Sequence, residues 1–350
     1  MTNKLVLAIC FSLIFIFSLT TIWSTTPKLF LPQFAFLVTG LLLVLVFAKT
    51  DIGLWFNFSP IFYFLSIILL LVTLIFGETV RGSTRWISLG PASPQTSEFV
   101  KPLLTLFFAH YLSKRNINHL KTFISYLILA LLPAGLILIQ PDLGSALVIL
   151  ALSGSIALFS GFKLKNLILI VIFLALLSPL AIKTLKPYQI DRLQSFIDPY
   201  HDPLGSGYNV IQSVIAIGSG GLFGRGVRLG TQSHLNYLPE RHTDFIFASF
   251  AEEFGFVGMS LLLGSYVIIF SSLIKILYLL NDNRAFLFQV GLISIFVFQT
   301  FVNLGMNLGL APVTGITLPL FSYGGSSLLS FSILLGLNIN LLEFIPRMRI

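Results

Sequence analysis

The chain has almost no cysteine and very little charge. Its one cysteine, Cys10, lies in the first apolar run of 350 residues, which excludes an intramolecular disulfide and a thiolate metal cluster. Charged residues make up only 10%, whereas a soluble globular protein carries about 25%. That scarcity excludes a cytosolic enzyme with a water-covered surface, a disordered chain and a coiled coil. The five histidines, His110, His119, His201, His234 and His242, show no H-E-x-x-H spacing, and no G-x-S-x-G elbow is present, so hydrolases of those types drop out. Lys and Arg number 21 against 13 acids. In so apolar a chain this excess calls for a membrane explanation first, and no nucleic-acid partner is expected.

Apolar residues are abundant instead: 56% of the chain, with 35 Phe and a mean hydropathy of +0.94. A spanning helix takes about 20 apolar residues, and runs of that kind lie near 4–23, 28–48, 57–77, 97–113, 119–138, 142–161, 165–184, 246–274, 285–309 and 321–345. The expected fold is an all-α polytopic membrane protein, one membrane domain over 1–350 with about ten transmembrane helices. The first run is read as a retained helix, because it lacks a clear small-residue cleavage site and further spans follow. Basic residues between runs, among them Lys49, Lys114, Arg115, Lys163, Lys275 and Arg284, mark the cytoplasmic side with both termini inside. Two polar segments then fall outside, a first loop at 77–101 and a large extracytoplasmic loop at 183–244. Irregular backbone that lines a cavity is where a membrane protein carries function.

In the large loop, Pro239-Glu240-Arg241-His242-Thr243-Asp244 stands directly before an apolar run. Thr243 or Asp244 is placed to cap the following helix, and a cluster of ionisable groups at a membrane entrance is equally a functional candidate. Glu252 and Glu253 lie two turns on, either paired with neighbouring helices or on an ion pathway. The glycine cluster Gly218 to Gly226 does not match the G-x-x-x-x-G-K-[ST] phosphate loop. With Arg225, Arg228, Arg192 and Lys186 near, it reads as a holder of an anionic head group or as a solvated loop. Gln140-Pro141-Asp142-Leu143-Gly144 offers Asp142 as a cap. Arg81, Arg85, Trp86, Gln95, Glu98 and Lys101 form a second polar cluster, in which Glu98 and Lys101 are spaced to pair on a helix. Asn303 to Asn307 and Phe321 to Ser327 suit tight helix packing or a substrate groove.

The ordered set Gly82 with Arg85-Trp86, Gln95 with Ser97-Glu98 and Lys101, Gln140-Pro141-Asp142-Leu143-Gly144, Asp202-Pro203, Gly207-Tyr208, Gln212-Ser213, Ala216 to Gly221, Leu238-Pro239-Glu240 with His242-Thr243-Asp244-Phe245, and Ser322 to Ser326 resembles the SEDS family of shape, elongation, division and sporulation proteins. Arg241 and Pro312-Val313-Thr314-Gly315 look more like its RodA branch than its FtsW branch. Thr96 stands where the family commonly has proline. The resemblance implies a peptidoglycan glycosyltransferase in a bacterial cytoplasmic membrane, polymerising lipid II on the outer face during cell elongation and shape maintenance. It places the essential aspartate at Asp244, as general base. It places substrate binding at Arg85, Glu98, Lys101, Asp142, Arg192, Gln212, Ser213, Glu240, Arg241, His242, Ser322 and Ser326. The pyrophosphate leaving group needs charge neutralisation more than protonation, from arginines and a divalent cation, Mg or Mn, whose ligands the sequence does not reveal. Implied partners are a class B penicillin-binding protein as transpeptidase, elongation-complex proteins, and lipid II with the polyprenyl-pyrophosphate-linked glycan. The competing readings are a lipid-linked-sugar flippase and a division or sporulation paralogue.

Overall fold

The computed structural model describes residues 4–80, 83–88, 90, 93–166, 168, 172, 187–205 and 207–341. In chain order the described elements are α1 (Lys4–Thr25), a 3-10 turn (Pro27–Leu29), α2 (Phe30–Ala48), α3 (Ile52–Phe76), the antiparallel hairpin β1 (Glu78–Val80) and β2 (Ser83–Trp86), α4 (Thr96–Ser113), α5 (Leu120–Ile139), α6 (Leu143–Phe159), α7 (Pro187–Ile197), α8 (Tyr208–Ser219), α9 (Thr231–His234), α10 (Ile246–Leu277), α11 (Asn283–Asn307) and α12 (Gly325–Leu341). Nine of the ten expected runs coincide with described helices, and the run at 165–184 lies largely outside the described residues. Six helical segments, Lys4–Thr25, Pro27–Ala48, α3, α5, α10 and α11, are long and apolar enough to cross a membrane. The all-α polytopic membrane fold follows.

Side chains on the outer helices point away from the protein, as Leu31, Phe64 and Ile75 do. Lipid tails solvate such surfaces, so helix association depends on close packing and internal polar contacts. The glycines show where the packing is closest. A Cβ at Gly40 of α2 would stand 2.6 Å from Leu328 of α12, and one at Gly336 of α12 would stand 2.7 Å from Phe47 of α2. The innermost helix is α4, packed against α3, α6, α11 and α12.

Two breaks in helical backbone shape the region around Asp244. At Gly255 the α10 backbone turns to φ 63°, ψ −162°, leaving Ile246–Phe254 as a half-helix. The glycine loop after α8 fills the gap. The N–H groups of Arg225 and Gly226 donate to the carbonyls of Glu252 and Glu253 at 2.9 and 3.1 Å, while Phe256 and Val257 donate to Gly221 and Leu222 at 2.9 and 3.0 Å. Buried backbone groups need partners, and these come from another segment. The second break is the non-helical stretch between α11 and α12, held by Tyr266 donating to the Pro319 carbonyl at 2.6 Å and Asn303 donating to that of Ile316 at 2.7 Å. Irregular backbone at membrane depth is tolerated where the protein satisfies it.

Candidate active site

Asp244 ends the turn that leads into α10, and the helix is not capped by it. The N-cap position is Phe245, without a side-chain cap, which corrects the capping role expected of Thr243 or Asp244. Thr243 turns back instead, its hydroxyl donating to Glu240 Oε2 at 3.0 Å. The Asp244 carbonyl receives the amides of Asn303 and Asn307 at 3.1 and 3.0 Å. These asparagines stand four apart on one face of α11, the spacing that puts side chains side by side. Asn307 also accepts the Ala248 N–H through Oδ1 at 3.1 Å, and its carbonyl accepts the Ser213 hydroxyl at 2.7 Å. From the α12 side, Ser322 donates to the Thr243 carbonyl at 2.7 Å and the Tyr323 N–H donates to His242 at 2.9 Å. The His242 and Tyr323 rings meet edge to face at 5.8 Å.

Across from Asp244 is the β-hairpin. Arg85 on β2 lies 3.6 Å from Asp142 and donates to the Pro141 carbonyl. Asp142 caps α6 through Ser145 N–H at 3.0 Å, as expected, and also receives Gln95 Nε2 at 3.1 Å. Ser326 accepts the Gln95 N–H at 2.9 Å, tying the loop to the start of α12. The two sides converge at Gly315. A Cβ built there would be 3.7 Å from Asp244 Oδ2 and 3.9 Å from Arg85 Nη1, and the backbone is at φ +73°. The positive φ is what favours glycine there, and the carboxylate and the guanidinium both come within ordinary contact distance of that point.

Of the other expected site residues, Arg241, Glu98 and Lys101 are bonded within the protein. Arg241 donates to the Thr25 carbonyl at the end of α1, 3.3 Å away, and to Asn236. Burial lowers its pKa from the ordinary arginine value, and it stays cationic. Glu98 and Lys101 pair at 2.5 Å inside the bundle, Lys101 being 1% exposed and 5.7 Å from the Phe331 ring centre. Gln212 is half-buried on α8. The side chain of Arg192, together with Arg81 and Lys186, lies outside the described residues. Removing one partner of a buried pair strands the other charge, at a cost of about 3–5 kcal/mol. Lys101→Met is therefore expected to lower the unfolding temperature strongly in detergent, and adding Glu98→Leu is expected to recover most of the loss.

Of the two readings of Glu252 and Glu253, the hydrogen bonds fit pairing with neighbouring segments. Glu252 receives the N–H groups of Gln232 and Ser233 at 2.9 and 3.0 Å, at the start of α9. Glu253 receives the Ser24 hydroxyl and lies 3.1 Å from His234 Nε2. The glycine cluster grips the protein's own helix, so close backbone approach is used internally. In the sequence Gly315 stands out only as a branch feature, and Asn303 and Asn307 as part of a stretch suited to tight packing or a substrate groove. The four-residue spacing of the asparagines was their available signal.

The family model described as a cell cycle protein, FTSW_RODA_SPOVE, matches residues 1–345. The chain belongs to the FtsW/RodA/SpoVE family. Curated relatives in the family include peptidoglycan glycosyltransferase MrdB of Escherichia coli K12, 38% identical over 320 residues, covering 90% of this chain and 86% of the relative. Another is the probable peptidoglycan glycosyltransferase FtsW of Buchnera aphidicola, 38% identical over 310 residues, covering 86% and 80%. Among solved structures, a chain described under the structural coordination of polymerization and crosslinking by a peptidoglycan synthase complex superposes with a TM-score of 0.84 at 37% identity, covering 97% of each chain. The rod shape determining protein RodA of Thermus thermophilus gives 0.75 at 30% identity, covering 99% of each. Both FtsW and RodA members match at similar identity, so these likenesses assign the family and leave its branches together.

Proposed function

We propose that this chain is a peptidoglycan glycosyltransferase that joins lipid II units into glycan strands, with Asp244 as the base. The observation that carries the reading is the approach of Asp244 and Arg85 to one point beside Gly315. The acceptor sugar 4-hydroxyl loses its proton to Asp244 as its oxygen attacks C1 of the lipid-linked chain. The C1–O bond to the pyrophosphate breaks, its electrons leave with the lipid pyrophosphate, and the anomeric centre inverts. Arg85 supports the developing negative charge. A second carboxylic acid is not needed, because pyrophosphate leaves without protonation. Among the described residues no group of three or more His, Cys, Asp or Glu side chains could hold a metal. Mg²⁺ is ordinarily held by one or two carboxylates together with substrate phosphates, so a cation would arrive with the pyrophosphate and would help neutralise its charge.

The turn that carries Asp244 bonds through Arg241 to Thr25, at the other end of α1 from Lys4, and among the described residues Lys114 and Arg284 come together where Asn283 bonds to Ser113. This supports an outer-face site with both termini cytoplasmic. Cross-linking the strands requires a transpeptidase, and a class B penicillin-binding protein is the partner this activity calls for. The test is purified protein, with that partner, given labelled lipid II in vesicles. Strands are expected. Lipid II crossing the bilayer with no strand formed would give the flippase reading instead.

A further inference from the structure

The grafted glycine loop has a second face, which points away from α10. Leu222, Phe223 and Leu229 are 65%, 80% and 67% exposed, and Arg225 and Arg228 between them are exposed as well. Such apolar side chains would be a liability in water, yet the loop's position explains them. Through Gly221 and Leu222 its backbone bonds to Phe256 and Val257, where α10 resumes with an outward apolar row that continues to Leu261 and Val267. On the other side, the Arg228 guanidinium lies 3.9 Å from the ring centre of Trp23 in the last turn of α1. The loop tip thus sits where two spanning helices leave the hydrocarbon. Aromatic and cationic side chains gather at that level.

Neither guanidinium pairs with a carboxylate among the described residues, although the Arg228 backbone N–H donates to Glu253 Oε1 at 3.3 Å. Arg225 donates to the Ser219 carbonyl and the Thr231 hydroxyl at 3.2 and 3.3 Å, while Arg228 is held by its backbone N–H, 2.9 Å from Ser24 Oγ. The nearby acids are already engaged, Glu252 by the start of α9 and Glu253 by Ser24, His234 and the Arg228 backbone N–H. Each guanidinium keeps N–H donors for a charge-assisted contact with a phosphate.

We propose that the 222–229 loop is a docking surface for the anionic phospholipid of the surrounding leaflet, with Leu222, Phe223 and Leu229 in the acyl boundary and Arg225 and Arg228 on a headgroup phosphate. The bulk lipid is the occupant, and the reacting lipid pyrophosphate is not. The loop joins α10 at Glu252, eight residues after Asp244, of which the helical part from Ile246 measures roughly 9 Å at 1.5 Å per residue. A basic side chain near an anionic surface gains enough to enrich such lipids about five-fold.

The test uses the full chain in vesicles, with Trp55 and Trp86 replaced by Phe so that Trp23 alone fluoresces. Brominated phosphatidylglycerol is compared with brominated phosphatidylcholine at equal mole fraction. The proposal expects the anionic lipid to quench Trp23 as though enriched about five-fold or more at its side. Arg225→Gln with Arg228→Gln should equalise the two lipids, and Arg225→Lys with Arg228→Lys should keep the preference, with thermal unfolding checking that each variant is folded. Equal quenching in the parent, or a preference that survives in the folded glutamine variant, overturns it. Two further results would overturn it by naming another occupant: lipid II displacing the quencher where excess unlabelled phosphatidylglycerol does not, or the penicillin-binding partner shielding Trp23 from both lipids.

Discussion

Asp244→Asn is expected to slow glycan polymerisation by about 10²–10⁴-fold, the usual contribution of a positioned general base, while lipid II binding and thermal stability stay near those of the parent. The change replaces one carboxylate oxygen with an amide of nearly the same size. The frame that aims it is built from the backbone. Asn303 and Asn307 hold the Asp244 carbonyl, and Ser322 holds that of Thr243. Arg85 has its own support from Asp142 and Pro141, so the phosphate side of the site should survive. An amide cannot take the hydroxyl proton at neutral pH. A rate that falls with binding unchanged marks an interaction made in the transition state, and single-turnover assays beside equilibrium binding of labelled lipid II separate the two. Binding that weakened in step with the rate would make Asp244 a substrate ligand instead.

Gly224→Ala is expected to cost about 3–8 kcal/mol of stability and most of the activity. Its φ is +82°, and an added Cβ would stand 2.0 Å from the Glu253 carbonyl oxygen and 2.6 Å from the Phe254 nitrogen. Both neighbours are backbone, so the loop itself must lift. Doing so strands the Glu252 and Glu253 carbonyls, at about 1–3 kcal/mol each, and the left-handed conformation adds roughly 1–2 kcal/mol for a residue with a Cβ. The half-helix under Asp244 would lose its lower anchor. Gly218→Ala is the internal control. It lies in α8 with open space where its Cβ would stand, so a neutral or slightly stabilising effect is expected there. Thermal unfolding and polymerisation assays on the two variants check both outcomes.

Hydrophobic runs made most of the fold legible in the sequence, because a membrane helix must satisfy its own backbone and cover itself with apolar side chains. Helix ends at α1, α5 and α6 fall within a few residues of the runs. Capping of α6 by Asp142 and pairing of Glu98 with Lys101 are local, and spacing alone gave them. The break at Gly255 was hidden, since ASFAEEFGFVG reads as continuous helix and its repair comes from residues some thirty positions earlier. Asp244 could be singled out by its place before an apolar run and by family resemblance. Its convergence with Arg85 beside Gly315 could not, because it joins a hairpin, a helix start and an irregular strand of chain that only tertiary structure brings together.

The central claim is that Asp244 removes a proton as the new glycosidic bond forms, and a solvent deuterium isotope effect on single-turnover strand extension tests it most directly. The parent protein should extend strands more slowly in D₂O, and the residual rate of Asp244→Asn should be the same in both solvents. An equal isotope effect in parent and variant, or strand extension by Asp244→Asn at the parent rate, would contradict the account.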